Sequence, residues 1–149
     1  MRYFLDTEFN GWGGALLSLA LVPDDGEELY LVLAHEGAVE PWVERNVMPY
    51  LDTVPETLRS PRLSRADAAQ ALSYYFEGDR EPLIVADWPE DIAQLNMLLL
   101  TGPGLMVPMP RLIFMLAALE GFSTAANSVV PHNALHDARA LRDHMVGLD

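Results

Sequence analysis

Arg2-Tyr3-Phe4-Leu5-Asp6-Thr7-Glu8-Phe9 is a run of aromatic and aliphatic residues, and Asn10-Gly11 with Gly13-Gly14 breaks it. Such a run ending in Asn-Gly predicts a strand that enters a turn. Two further apolar runs follow, Ala15 to Val22 and Glu28 to Ala34, separated by Pro23-Asp24-Asp25-Gly26. Proline and glycine placed in this way reverse the chain, so the first third predicts a three-stranded antiparallel meander.

Beyond the meander the pattern changes period. Pro41 is placed as the first residue of a short helix, with Trp42, Val43 and Val47 facing inward and Pro49 near its end. After a loop rich in proline, serine and arginine, Ser64 with Asp67 three residues on predicts a capped helix to about Glu77, stopped at Gly78. Leu83-Ile84-Val85-Ala86 reads as a buried strand and Pro89 to about Leu100 as a helix, which Gly102-Pro103-Gly104 ends. A strand at Leu105–Val107, an apolar helix from Pro110 to Glu120 closed by Gly121, and a last helix from about Asn133 to Val146 complete the expectation. Together these predict an α/β domain over residues 1–149 with a mixed sheet and helices on its faces, without internal repeat or linker.

Length and composition bound what the chain can do. At 149 residues, 50% hydrophobic and 21% charged, it matches one ordinary globular domain. The 9 basic residues, every one an arginine, face 22 acidic ones, for a net charge of −13. That disfavours nonspecific attachment to nucleic acid or anionic membrane, although acidic sites that take divalent cations reverse the field locally. Cysteine is absent, which excludes disulfides, thiolate metal sites and cysteine nucleophiles and fits a reducing compartment. No signal-peptide pattern opens the chain, and the longest apolar stretches fall short of the roughly 20 residues that cross a bilayer. A cytoplasmic protein without membrane attachment is expected. Neither a Gly-x-Ser-x-Gly elbow nor a glycine-rich Gly-Lys-Ser/Thr loop is present, which removes serine-hydrolase and nucleotide-kinase readings.

Three segments carry chemistry. Alternate side chains of a strand share a face, so Asp6 and Glu8 point to one side and Thr7 to the other. Two carboxylates on one apolar strand are costly unless a cation satisfies them, and hard oxygen ligands suit Mg²⁺ or Mn²⁺. The ordinary alternative is a strand end with one solvated face. Near the last helix, His132 precedes Asp137 by five positions, which lets an aspartate bind metal while the histidine reaches an attacking water. His136 projects about 100° from Asp137 and is expected to face elsewhere. In Val85-Ala86-Asp87-Trp88-Pro89-Glu90-Asp91, the acids at a helix start are explained in the first place by the helix dipole.

Taken together, Asp6-Thr7-Glu8, Asp91 with Leu95, and His132-x4-Asp137-Ala138 resemble the three motifs of the DEDDh branch of the DnaQ-like 3′–5′ exonucleases. These belong to the ribonuclease H-like superfamily, with oligoribonuclease, ribonuclease T and polymerase proofreading subunits, and the compact spacing is most similar to small stand-alone bacterial or phage exoribonucleases. Motif II departs from the usual form at Asp87-Trp88-Pro89, and Asp91 is taken as its acid in preference to Asp87. The resemblance implies a ribonuclease H-like sheet and two Mg²⁺ or Mn²⁺ ions held by Asp6, Glu8, Asp91 and Asp137. It implies His132 as general base and nucleoside 5′-monophosphates as products. RNA with single-stranded 3′ ends, or short oligonucleotides, is the expected partner, with a homodimer as an arrangement common among the relatives. Phe9, Asn10, Trp12 and Trp88 are placed at the substrate, the aromatics to stack on terminal bases. Arg59, Arg62 and Arg65, with Arg111, Arg139 and Arg142, are the candidate phosphate contacts. The rival readings are a DNA-directed 3′–5′ exonuclease, an endonuclease on the same fold, and a catalytically silent interaction domain.

Overall fold

The chain's alternating apolar runs assemble into one mixed sheet in a computed structural model that describes all of residues 1–149. β1 (Arg2–Phe9), β2 (Leu16–Pro23) and β3 (Leu29–Val32) form the antiparallel meander that the turn residues predict. β4 (Leu83–Ala86) joins the other side of β1 in parallel, and β7 (Ile113–Leu116) joins β4 in parallel, giving the order β3-β2-β1-β4-β7. β2 is buried along its whole length, as expected of a strand covered on both faces. β5 (Leu100–Gly102) and β6 (Leu105–Met106) pair only with each other, in a small hairpin apart from the main sheet.

Helices cover both faces. On one, α2 (Arg65–Tyr75) and α3 (Pro89–Leu99) pack Ala68, Leu72, Leu95 and Leu98 against Leu5, Leu19, Leu21 and Ile84. On the other, α1 (Pro41–Asn46) and α5 (Ala134–Val146) bring Val43, Leu135 and Ala138 against Leu17, Ala20, Val22 and Val32. Phe4, Val85, Ala117 and Leu141 close a smaller cluster on the α5 side. The alternation along β1 follows: Tyr3 and Leu5 face α2 and α3, and Phe4 faces α5. Ser64 caps α2 by accepting from the Asp67 N–H, and Asn133 caps α5 by accepting from Leu135 and His136. No helix is long and apolar enough to cross a membrane.

Two expectations are corrected. The apolar run after Pro110 is not a helix to Glu120 but the edge strand β7, followed by turns and the short helix α4 (Thr124–Asn127). Apolar runs of this length carry no decisive period, and the free edge of β4 decides the matter: Ile113 donates to the Pro82 carbonyl and Ala117 to that of Ala86. The segment at Leu105–Val107 is a strand only at Leu105–Met106, and outside the main sheet.

Leu141, fully buried between α5 and the sheet, tests how α5 is held. Leu141→Ala is expected to cost about 2–5 kcal/mol, read as a lower midpoint in urea denaturation with unchanged slope.

Candidate metal centre

β1 and β4 run parallel, so both strands finish at the same edge of the sheet, and the chain leaves them in different directions. Ligands of open α/β sheets collect at such a point. Asp6 and Glu8 lie at the end of β1, continuing the face on which Phe4 meets α5, and Asp137 arrives on the first turn of α5. Asp87 follows the last residue of β4 directly, and Asp91 sits in the first turn of α3. These side chains, with His132, line one cleft of about 560 Å³.

Asp91 comes from the opposite face of the sheet, and Thr7 brings it in. Its Oδ1 accepts from the Thr7 N–H at 3.1 Å and from the Thr7 Oγ1 hydroxyl at 2.6 Å. Its Oδ2 is buried and has no hydrogen-bond partner. Asp137 repeats the arrangement: Oδ2 accepts from the His132 N–H at 3.1 Å, and Oδ1 is buried with the equally buried Ser128 hydroxyl near it but in no hydrogen bond of ordinary geometry. Buried carboxylate oxygens without donors are rare because each loses its hydration. One oxygen anchored and the other presented is the pattern of a metal ligand with its supporting shell.

Ligand atoms of Glu8, His132 and Asp137 lie within 4.8 Å of one another, as do those of Asp6, Asp87 and Asp91. Hard oxygen donors at this density fit Mg²⁺ or Mn²⁺. Desolvation is the largest influence on every acid of the cluster. It lifts Glu8 to about 8 and Asp91 to about 7, with the neighbouring carboxylates adding to both, and Thr7 draws Asp91 partly back. Asp6 is raised well above the usual carboxylate range by burial and then by Asp91, Glu8 and Asp137, and Asp137 and Asp87 are raised as well.

His132 precedes the cap of α5 with a left-handed backbone, φ +62°, a conformation that non-glycine residues adopt at a cost. Its ring lies edge-on to Trp42, centroids 4.8 Å apart at 78°. Asn133 fixes the segment, accepting from the helix start and donating from Nδ2 to the Tyr50 carbonyl at 2.8 Å. His136 turns away and bonds the Thr53 carbonyl, as its angular offset from Asp137 predicts.

Of the substrate candidates, Phe9, Trp12 and Trp88 line the cleft, with Trp12 97% and Trp88 59% exposed. Asn10 does not. Its side chain donates to the Ala38 carbonyl and accepts from the Glu40 N–H, tying β1 to the segment before α1. Trp42, expected inward, is half exposed at the cleft instead, because Val43 and Val47 fill the inner face of α1 and the segment that follows it. Asp87, set aside in favour of Asp91, stands in the cleft beside it. No arginine lines the cleft. Arg62 forks onto Asp52, Arg139 and Arg142 pair with Glu28, and Arg111 pairs with Glu81. Arg59 donates to the Asp52 carbonyl, and Arg65 is exposed at the start of α2.

Thr7, Trp42 and Asp87 are the residues that sequence reasoning did not assign to the site. For Thr7 a signal existed, since a hydroxyl between two acids on one strand points to the opposite face.

Carboxyls whose folded pKa lies above the unfolded value stabilise the fold fully only below the unfolded range, and lose that stabilisation as pH rises through the folded values. With Glu8 near 8 and Asp91 near 7, the loss falls between about pH 4 and pH 8. In EDTA the Tm is expected to be lower at pH 8.5 than at pH 5.5, by on the order of 5 °C or more. Asp6→Asn is expected to flatten that slope, and Mg²⁺ or Mn²⁺ to restore the Tm of the native chain at pH 8.5, as scanning calorimetry reads directly. The geometry stands by itself in this chain, since no known protein-family model and no curated protein sequence matches it.

Proposed function

We propose that the protein is a metal-dependent 3′–5′ exoribonuclease of the DEDDh type, built on a ribonuclease H-like sheet. It hydrolyses single-stranded or short RNA from the 3′ end to nucleoside 5′-monophosphates. The observation that carries this reading is the meeting of Asp6, Glu8, Asp91 and Asp137 with His132 in one cleft, two of the carboxylates presenting buried oxygens without partners. A catalytically silent domain would have no use for so costly an arrangement. A cytoplasmic homodimer belongs to the same reading, and the cysteine-free composition agrees with the location.

The geometry supports a role for each residue. Asp6, Glu8, Asp91 and Asp137 would hold two divalent ions. When bound, such ions supply Lewis acidity at the phosphodiester, lower the pKa of the attacking water and stabilise the leaving 3′ oxygen. Thr7 keeps Asp91 turned toward the cleft, and the His132 N–H does the same for Asp137. A ring nitrogen of His132 takes the proton from the water, with Trp42 limiting the swing of the imidazole. Trp12 and Trp88 offer faces on which terminal bases stack, and Phe9 lines the cleft near the turn. With no arginine in the cleft and a net charge of −13, phosphate is gripped only close to the carboxylate cluster, which favours short substrates over long duplexes.

Incubation with 5′-labelled RNA and DNA oligonucleotides in Mg²⁺, Mn²⁺ or EDTA tests the reading. A ladder that shortens from the 3′ end of RNA and vanishes in EDTA is expected, with a 3′-phosphate end degraded much more slowly and circular RNA resistant. Circles linearised as fast as linear RNA is trimmed would identify an endonuclease, and a preference for DNA would replace the substrate.

His132→Ala is expected to lower the rate roughly 10²–10⁴-fold while calorimetric metal affinity changes little. Loss of metal together with activity would make His132 a ligand instead.

A further inference from the structure

The acids at the start of α3 have separate employments. Glu90 accepts from the Gly13 N–H at 2.9 Å and so holds the glycine-rich turn that carries Trp12. Asp91 is held by Thr7. Asp87 does neither, and it is not a helix cap: the N-cap of α3 is Trp88, and no side chain caps that terminus. Asp87 is nevertheless partly withdrawn from solvent, in the same cleft as the other acids, with a carboxylate oxygen within 4.8 Å of ligand atoms of both Asp6 and Asp91. Asp91, 2% exposed, presents to that group an Oδ2 with no hydrogen-bond partner.

The cluster thus divides into two sets, Glu8 with His132 and Asp137 from the start of α5, and Asp6 with Asp87 and Asp91 from the segment that leads into α3. Without Asp87 the second set is poor. Asp91 has one oxygen already engaged by Thr7, which leaves its other oxygen and Asp6. Two carboxylates, one of them with a single free oxygen, hold a hard divalent cation weakly, and a third improves both charge and ligand count.

Resting on the exonuclease reading for the first set, we propose that Asp87 is a fifth metal-ligating carboxylate, completing with Asp6 and Asp91 a second divalent-cation site that fills before RNA arrives. Asp87 and Asp91 are then partners on one ion, not alternatives for one role. An ion held by the protein alone is in place before any substrate phosphate can help to bind it, and this suits a cleft that has no arginine.

Mn²⁺ titration of the full chain without RNA, followed by calorimetry and by the electron paramagnetic resonance of free Mn²⁺, tests the site. The native chain is expected to bind two ions. Asp87→Asn should keep one with affinity within about 3-fold of native and weaken the other by about 10-fold or more. Glu90→Gln removes the same charge three residues on, inside the first turn of α3, and should weaken neither ion more than about 3-fold. The Asp87→Asn protein should also melt no lower than the native chain in EDTA, since it loses a crowded charge. Native binding of a single ion, unchanged titration of Asp87→Asn, or equal weakening by Glu90→Gln overturns the proposal. The RNA ladder is a separate readout: trimming of RNA by a protein whose Mn²⁺ titration ignores Asp87 removes the fifth ligand and leaves the exonuclease. Two bound ions, one of them dependent on Asp87, in a protein that never trims RNA keep the site and remove the reaction.

Discussion

Asp6, Asp91 and Asp137 are each less than a tenth exposed, and Glu8 and Asp87 stand beside them. Like charges crowded into a place with little water repel strongly and lose their hydration together. The surrounding structure is arranged to tolerate this. Thr7 donates twice to Asp91, a backbone N–H donates to Asp137, and the strands and helices that bear the acids are anchored in continuous apolar clusters on both faces of the sheet. Protonation relieves the remaining repulsion at low pH, and cations would relieve it near neutrality. The stability of the fold and the occupancy of the cleft are therefore one quantity seen from two sides.

The placement of the site depends on the crossing of two simple periodicities. Along β1 the period of two sends Asp6 and Glu8 toward α5 and Thr7 toward α3. Along α5 the period of 3.6 turns Asp137 inward and His136 aside to Thr53. Both were legible before any coordinates, as were the caps at Ser64 and Asn133 and the meander set by Pro23 to Gly26. What was not legible depended on distant partners. Ile113 to Leu116 has the composition of a buried helix, yet it is an edge strand because β4 left an edge unpaired. Trp42 sits beside inward-facing Val43, and only the arrival of His132 from the far end of the chain gives its ring a neighbour at the cleft. Asp87 resembled a helix-dipole acid until the parallel pairing of β1 with β4 set it opposite Asp6. Asn10 had the look of a substrate contact, but both ends of its amide are taken by the backbone of residues 38 and 40.

Charge is distributed with the same logic. Five of the nine arginines, Arg2, Arg62, Arg111, Arg139 and Arg142, spend their donors on acids, at Asp24, Asp52, Glu28 and Glu81 among others. What remains is a molecule that repels polyanions over most of its surface and can accept one only where cations gather. Long-range steering, which speeds many nucleic-acid-binding proteins to their targets, works against the approach of any polyanion to this surface. Under the exonuclease reading proposed above, encounter with RNA is expected to grow easier as salt screens the protein, until competition for the cations themselves sets in.

The left-handed backbone of His132 bears on how a substrate-trapping form should be made under the proposed function. Alanine at this position would discard the imidazole and keep the unfavourable φ, whereas glycine adopts that conformation without the clash of a Cβ atom. A His132→Gly chain would lose the same imidazole on a more relaxed loop, and the N–H that supports Asp137 would stay where it is. For catching the proposed RNA substrate in place, the smaller residue is the better tool.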